Sequence, residues 1–292
     1  GGLLGLLLGI GAALALERLT DVVYTSEEFK RIVGQPLLAS IPLNESLQMS
    51  NSSLGLPLLQ RVTAGMQPAT EDETRTNGKA NNNRDNGRRY YNVDPFFESF
   101  RTLYANIRLL NSDSPIRSLV VSSTQPAEGK STVAIHLAKA AAAMAQRVLL
   151  VDLDLRSPKL HEYMSLPPSG GLVDVIAGDL SLKDAVQRSP LEPNLFVLVA
   201  GAIPPDSTRL LSSQKMQRLM EQFQSNFDLV IYDAPPLVGF ADAYLTAANT
   251  NGMILVAETG RLKRSLLEQA LEQIKLSRTT LLGVVAQKQP FS

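Results

Sequence analysis

The segment "SSTQPAEGKST", residues 122–132, contains the residue types of a phosphate-binding loop. An apolar run, "SLVV", leads into it, and it opens "STVAIHLAKAAAAMAQ", which has the composition of a helix. In this context backbone N–H groups at the start of the helix bind phosphate oxygens, Lys130 supplies a positive charge, and the Ser131 hydroxyl binds Mg²⁺. The sequence therefore predicts an ATP-binding loop. A Gly-Lys-Ser helix start without any ligand is the alternative.

One position of this loop departs from the usual pattern. The pattern G-x-x-x-x-G-K-[ST] has glycine where this chain has Thr124. Gly129 keeps the close approach next to Lys130, so the substitution affects the shape of the loop and leaves its chemistry in place. The loop residues predicted to contact the nucleotide are Thr124, Ala127, Glu128, Gly129, Lys130, Ser131 and Thr132.

Three acidic residues follow apolar strands further along the chain. Asp152 and Asp154 lie in "VLLVDLDLR", and Asp233 ends "LVIYD". Ligands collect at the carboxyl ends of the strands of a parallel α/β sheet, so these side chains are expected at the same edge as the loop. There they would hold Mg²⁺ together with Ser131 and orient a nucleophile. Each acid taken singly could also be no more than a cap at the end of a strand.

The composition excludes several classes of site. The 28 Lys and Arg residues balance 28 Asp and Glu residues, so no overall charge attracts nucleic acid, and we expect none as a partner. The chain has no cysteine, which excludes a disulfide scaffold, a thiol nucleophile and a cysteine-ligated zinc site, and suits a reducing cytoplasmic location. His136 and His161 are the only histidines, too few for a histidine metal cluster.

Apolar strands alternate with helices from Asp94 to the end of the chain. Helices predicted over 95–110, 131–146, 213–224 and 262–276 separate strands at "IRSLVVSS", "RVLLVDLD", "NLFVLVA", "FDLVIYD", "GMILVAE" and "LLGVVAQ". Short, continuously apolar strands that alternate with helices are typical of a parallel sheet covered on both faces. The predicted fold class is therefore α/β, a doubly wound parallel sheet, in a domain over 94–292.

The first 16 residues carry no charged or polar side chain. A helix of this length rises about 24 Å, less than the roughly 30 Å of the hydrocarbon core, so a buried helix and the core of a signal peptide are alternatives. Small residues at Gly1, Gly5, Gly9 and Ala13 form one smooth face, as in closely packed membrane helices. We predict the end of a transmembrane helix over 1–18, truncated at its start, and the basic residues that follow favour a cytoplasmic exit.

Two further segments precede the predicted domain. Residues 19–43, a predicted juxtamembrane segment, include "TSEEFKRIVGQPLLASIP", which indicates a short helix capped by Ser26 and an extended stretch that ends at Pro42. In 44–93 the composition shifts to Asn, Ser, Thr, Gln and charged residues. Such a segment cannot bury enough apolar surface to order itself, so we predict a flexible linker.

Together these motifs resemble the bacterial tyrosine kinases that regulate capsule and exopolysaccharide synthesis, a branch of the MinD/ParA-like P-loop ATPases. The resemblance spans residues 94–287 and rests, in the family's order, on "SSTQPAEGKST", "VLLVDLDLRSPKLH", "GLVDVIAGDLSLKDAV", "LVAGAIPPDSTRLLSS", "FDLVIYDAPPLVGFADA" and "LLGVVAQ". Kinases of this family also tolerate a residue other than glycine at the position of Thr124. The transmembrane helix and "VGQPLLASIP" resemble the end of the chain-length-determinant module to which such kinases are often fused.

The resemblance implies a MgATP-dependent tyrosine autokinase at the inner membrane, with its ATPase domain in the cytoplasm. Its implied partners are ATP, other copies of itself, and proteins of polysaccharide polymerisation and export. The implied catalytic residues are Lys130, Asp152 and Asp154, and the implied magnesium-binding residues are Ser131, Asp152 and Asp233.

Three features depart from the family's pattern. Gln287 stands where relatives usually have an adenine-contacting asparagine, and we expect it to take that place in binding the nucleotide. Helix "ESFRTL" resembles the E-x-x-R-x-x-R oligomerisation element through Glu98 and Arg101, but Tyr104 replaces the second arginine. An ordinary i,i+3 helix pair is the alternative for Glu98 and Arg101. The sequence ends at "QKQPFS" without the tyrosine-rich tail that serves as phosphoacceptor in such kinases.

The acceptor and the activity therefore stay open at the level of sequence. Tyr90 and Tyr91 are candidate acceptors, with aromatic anchors or plain linker residues as the alternative. A nucleotide-dependent assembly switch with little kinase activity is a second candidate function, favoured by Tyr104 and the absent tail. A MinD/ParA-type partitioning ATPase is a third, although such proteins usually have a lysine at the position of Gln125.

Overall fold

The computed structural model of the chain describes residues 21–42, 94–111 and 113–287. The predicted transmembrane helix (1–18) and linker (44–93), with Tyr90 and Tyr91, lie outside the described residues. Within the described ranges, no helix is both long enough and apolar enough to cross a membrane.

An eight-stranded sheet forms the centre of the described part of the chain. In chain order its strands are β1 (Leu37–Ile41), β2 (Ser118–Ser123), β3 (Val148–Asp152), β4 (Gln187–Arg188), β5 (Leu195–Leu198), β6 (Leu229–Asp233), β7 (Met253–Glu258) and β8 (Leu281–Gln287). Their spatial order is β1-β8-β7-β2-β6-β3-β5-β4, and all neighbours are parallel except β4 and β5. The predicted α/β fold with a parallel sheet is confirmed, and the edge strands β1 and β4 are additions to it.

The helices connect these strands and cover the sheet. They are α1 (Ser26–Val33), α2 (Pro95–Leu109), α3 (Lys130–Ala143), α4 (Leu160–Met164), α5 (Leu172–Ala177), α6 (Leu182–Ala185), α7 (Ser207–Leu211), α8 (Gln214–Asn226), α9 (Asp242–Ala247) and α10 (Arg264–Leu276). The four long helices predicted after Asp94 correspond to α2, α3, α8 and α10. The others within that region are too short to show a helical period in their sequences.

Two apolar cores lie on opposite faces of the sheet. Residues of β3 alternate between them, with Leu149 and Val151 in one core and Val148 and Leu150 in the other. Side chains of α8 and α10 complete the first core, and side chains of α2 and α3 complete the second. Because both faces are covered, the central strands are apolar along their whole length, which accounts for the continuous apolar runs in the sequence.

The segment that precedes the linker belongs to the same sheet. β1 pairs with β8 in parallel, so that Leu37 lies beside Val284 and Ile41 lies beside Gln287. Gly283 of β8 allows close packing here, because a Cβ at this position would be only 2.6 Å from the Leu38 side chain. The sheet therefore extends beyond the range 94–292 that the sequence analysis assigned to the domain.

Helix α1 packs this segment onto the fold. The Thr25 hydroxyl caps the helix by accepting the Glu28 N–H at 3.1 Å, so the prediction that Ser26 is the cap is wrong by one residue. Thr25 has the extended backbone of a cap, whereas Ser26 is already the first helical residue. Phe29 is fully buried in the core, and Arg264 of α10 donates a hydrogen bond to the Glu28 carboxylate at 2.5 Å.

Replacement of Phe29 tests whether this segment folds together with the rest of the chain. Because the Phe29 ring is fully buried, we expect Phe29→Ala to lower the free energy of unfolding by about 3 kcal/mol. Urea titration of the full chain measures the loss. Tyr24→Ala is the matched control, because Tyr24 lies on the same segment with 57% of its side chain exposed. Equal stabilities of the two variants would show that the segment is not part of the cooperative unit.

Candidate active site

The loop between β2 and α3 takes its shape from residues other than Thr124. Ala127 and Gly129 have left-handed backbone conformations, with φ of 66° and 82°, whereas Thr124 does not. Thr124 is fully buried, and its carbonyl accepts the Val238 N–H at 3.2 Å. The turn that other loops of this pattern make with glycine is therefore not needed at position 124, which explains why threonine fits there.

Glu128 stabilises the loop through a hydrogen bond to the backbone of the same loop. Its Oε2 accepts the backbone N–H of Gln125 at 2.9 Å, and the Ser123 hydroxyl donates to the Gln125 carbonyl at 2.8 Å. The other carboxylate oxygen, Oε1, is buried and has no hydrogen-bond partner. Burial raises the pKa of Glu128 to about 7, and the N–H groups of the loop offset only part of that effect.

Lys130 lies among the three predicted carboxylates. Its Nζ is 3.1 Å from Asp154 Oδ2 and 3.9 Å from Asp233 Oδ1, and it also donates to the Ser131 hydroxyl at 3.4 Å. Burial lowers the pKa of Lys130, but the negative charges of Asp233 and Asp154 outweigh burial and raise it overall. The lysine is therefore a partly buried cation, with 13% of its side chain exposed, that the acids hold at the end of the loop.

Asp152 and Asp233 lie side by side because β3 and β6 end in register. The Asp152 oxygens accept the backbone N–H groups of Asp154 and Leu160, both at 3.1 Å. Burial and the neighbouring charge of Asp233 raise the pKa of Asp152 to about 8. Burial also raises the pKa of Asp233, although the positive charge of Lys130 acts in the opposite direction.

One buried carboxylate oxygen is left without a hydrogen bond. Asp233 Oδ1 is buried and has no hydrogen-bond partner, and the Ser131 hydroxyl hydrogen-bonds to the same side chain. Among the described residues, no three or more His, Cys, Asp and Glu side chains are grouped as a metal site. The predicted set of Ser131, Asp152 and Asp233 nevertheless suits Mg²⁺, which keeps several waters and takes few protein ligands. Its role as a metal site stays a prediction.

Gln287 reaches the loop from the end of β8. Its side-chain amide donates to the Gly129 carbonyl at 3.4 Å. A Cβ on Gly129 would lie 2.3 Å from the same amide, so the close approach depends on the glycine. The predicted contact of Gln287 with adenine stays a prediction.

Comparison with known proteins identifies the family of this chain. The family model for an AAA domain matches residues 117–283. The tyrosine-protein kinase YwqD of Bacillus subtilis is 36% identical over 188 residues, which are 64% of this chain and 79% of that protein. The tyrosine-protein kinase CpsD of Streptococcus agalactiae is 31% identical over 192 residues, 65% of this chain and 82% of that protein. The chain belongs to the bacterial tyrosine-protein kinase family.

Solved structures share the fold of this chain. The chimerical protein CapA2B2 superposes with a TM-score of 0.73 at 27% identity, over 91% of this chain and 100% of that chain. The kinase domain of the Escherichia coli tyrosine kinase ETK superposes with a TM-score of 0.71 at 23% identity, over 89% of this chain and 93% of that chain. EpsB of Ralstonia nicotianae matches 97% of this chain at 28% identity, but the chain spans only 35% of EpsB.

The remaining residues that were predicted from the family's motifs lie on helices α2 and α3. Glu98 and Arg101 lie on an exposed face of α2, with 4.0 Å between carboxylate and guanidinium. Tyr104, which replaces an arginine of the oligomerisation motif, is only 3% exposed and packs in the core. Thr132 lies in the first turn of α3. The oligomerisation role of Glu98 and Arg101 stays a prediction.

Two charged residues near this candidate site were not selected from the sequence. Arg156 follows Asp154 by two residues, and Asp242 begins α9 and is fully buried. Both lie in segments that the family resemblance rests on, "VLLVDLDLRSPKLH" and "FDLVIYDAPPLVGFADA". The two residues form an ion pair although they are far apart along the chain, so the pair could not be predicted from the sequence.

The raised pKa of Glu128 predicts a pH dependence of stability. Between its ordinary value of 4.5 and about 7, the folded protein keeps a proton on Glu128 that the unfolded chain has lost. Stability should therefore fall as pH rises through this window, by up to about 3 kcal/mol from this one group. Glu128→Gln should remove this part of the slope, as measured by urea titration of the nucleotide-free protein between pH 4.5 and 8.

The exposed Glu221 of α8 provides the control, since Glu221→Gln should leave the slope unchanged. An equal slope in Glu128→Gln and in the unsubstituted chain would contradict the prediction. A constant difference in stability at every pH is such an equal slope, and it would reflect only the hydrogen bonds of the new amide.

Proposed function

We propose that the protein is a MgATP-dependent tyrosine kinase that transfers the γ-phosphoryl group to a tyrosine of itself or of a second copy. The observation that carries the proposal is the convergence of Lys130 with Asp154 and Asp233 at the end of the phosphate loop, at 3.1 Å and 3.9 Å. Phosphoryl transfer requires mainly positioning and neutralisation of charge, which such a set supplies. Membership of the tyrosine-protein kinase family supports tyrosine as the acceptor.

The residues of the site have separate roles in this proposal. Loop N–H groups and Lys130 bind the phosphates, which draws the ammonium group away from Asp154. The freed Asp154 carboxylate takes the proton of the tyrosine hydroxyl as its oxygen attacks the γ-phosphorus and the bond to the β-phosphate oxygen breaks, releasing ADP. Asp152 is less suited to this step, because backbone N–H groups occupy both of its oxygens.

Magnesium would complete the charge balance of the site. When bound, it neutralises negative charge on the phosphate oxygens. Ser131, Asp152 and Asp233 are the residues that would hold it, since Asp233 Oδ1 is buried without a hydrogen-bond donor. This role also explains why the chain keeps a carboxylate at a place where burial opposes its ionisation.

We further propose that the kinase acts in the synthesis or export of a surface polysaccharide, at the inner membrane with this domain in the cytoplasm. The motif resemblance supports this setting, with polysaccharide polymerisation and export proteins as partners. Self-association through Glu98 and Arg101 would supply acceptors in trans. Tyr90 and Tyr91 are the proposed acceptors. Among the tyrosines that the structure describes, only Tyr24 has an exposed side chain.

An assembly switch that binds nucleotide with little kinase activity is the second candidate. Burial of Tyr104 favours it, because this position offers no charged group beside Glu98 and Arg101 to a neighbouring copy. Such a switch would bind MgATP and change its association without forming phosphotyrosine.

Replacement of Lys130 tests the kinase proposal directly. The purified full chain is incubated with MgATP, and phosphotyrosine is located by mass spectrometry. We expect phosphate on Tyr90, Tyr91 or Tyr24, and a rate reduced by about 10²- to 10³-fold in Lys130→Met, which lacks the cation that meets the phosphates.

The control is Lys275→Met, an exposed lysine on α10 that should leave the rate unchanged. ATP binding without any phosphotyrosine would reject the autokinase and favour the assembly switch. Phosphotyrosine that still forms in Lys130→Met would show that the kinase activity does not depend on this site.

A further inference from the structure

A buried carboxylate joins two loops that leave the active site. Asp242 is fully buried, and its Oδ2 accepts a hydrogen bond from Arg156 Nε at 3.0 Å. The same carboxylate accepts the Ser207 hydroxyl at 3.0 Å and the Thr208 hydroxyl at 2.9 Å. Arg156 Nη2 also donates to Thr208 Oγ1 at 3.3 Å, and the guanidinium lies 5.1 Å from the centre of the Phe240 ring. Contacts with further residues therefore fix the positions of both Arg156 and Asp242.

This pair is the second of two ties that hold Asp154 in place. The first is a backbone hydrogen bond from the Leu153 N–H to the Asp233 carbonyl, at 2.8 Å. Asp154 lies between Leu153 and Arg156, so the chain is fixed on one side of it to the end of β6 and on the other side to the segment that follows β6. From this position the Asp154 carboxylate meets Lys130 at 3.1 Å.

The energetics of the Arg156–Asp242 pair indicate that it contributes more to the geometry of the site than to the stability of the protein. Asp242 loses its hydration, whereas the Arg156 side chain stays 44% exposed, so solvent screens the attraction and the pair adds little net stability. Its hydrogen bonds are directional, and the planar guanidinium fixes the relative position of the groups it joins. Arg156 and Asp242 bring together the loops after β3 and β6, the two strands that carry the acids of the site.

We propose that Arg156, bound by the buried carboxylate of Asp242, is a positioning residue that holds Asp154 against Lys130 for phosphoryl transfer. The rate expected for this role rests on the proposed kinase function. The proposal that Arg156 holds Asp154 in position does not rest on the kinase function, because it also applies to the nucleotide-free protein.

The test separates positioning from stability with a pair of variants. Arg156→Gln leaves Asp242 as a buried charge without a cation, so it should lower both the melting temperature and kcat. Adding Asp242→Asn removes that unpaired charge, so the double variant should regain most of the melting temperature. Its kcat for phosphoryl transfer should stay about 10²-fold low, as for a misplaced reacting group, while KM for MgATP changes by less than about 3-fold. Arg209→Gln is the control, since Arg209 is exposed on the neighbouring helix α7.

A double variant that regains both the melting temperature and the full kcat would overturn the proposal, because the pair would then be structural only. An equal loss in Arg209→Gln would also overturn it, since the effect would not depend on the tie.

Hydrogen–deuterium exchange of the nucleotide-free full chain tests the positional part without any activity. The Asp154 N–H bonds to Asp152 Oδ1 at 3.1 Å and the Ser157 N–H bonds to Asp154 Oδ1 at 3.2 Å, so both amides report on this stretch. In the double variant their exchange should rise about 10-fold, and unchanged exchange would reject the tie. If the unsubstituted chain forms no phosphotyrosine, the kinase proposal fails while this measurement still decides the role of Arg156.

Discussion

The parallel register of β3 and β6 places Asp152 beside Asp233 where the sheet is covered on both faces. Two carboxylates so placed resist ionisation together, which is why burial and the charge of Asp233 raise the pKa of Asp152 to about 8. Lys130 supplies the compensating charge, and its own pKa is raised because the acids outweigh its burial. The lysine and the acids are therefore one electrostatic unit, and a change in any member alters the protonation of the others.

This unit links the binding of phosphate to the binding of a cation. Without nucleotide, Lys130 neutralises Asp154 and Asp233. A triphosphate that binds the ammonium group leaves these carboxylates without their partner, and burial already opposes the charge of Asp233. A divalent cation near Asp233 would restore the balance, so phosphate and metal should each strengthen the binding of the other. In a parallel α/β fold such coupling follows from having the loop and the acids at the same strand ends.

Features that are encoded locally could be predicted from the sequence, whereas features that depend on contacts far along the chain could not. The central strands are short, continuous apolar runs separated by helical stretches, and the acids follow those runs, so the place of the acids at one edge of the sheet was predictable. The extended stretch before Pro42 was predicted and forms strand β1, but its pairing with β8 was not, because β8 lies about 240 residues away and a five-residue apolar stretch does not reveal its neighbour. Asp242 was missed for a similar reason. Nothing local shows that an acid after a glycine-containing loop is buried against Arg156.

The loop itself shows how a departure from a motif can leave its function in place. Glycine at the first position of the pattern allows a particular backbone conformation. In this chain the residues with left-handed backbone conformations are Ala127 and Gly129 instead. Glu128 then closes the turn by accepting the Gln125 N–H. A loop held by its own side chains loses less conformational freedom when phosphate binds, which favours affinity through preorganisation. The substitution of glycine by Thr124 is therefore compatible with a loop that is already shaped for phosphate before the nucleotide arrives.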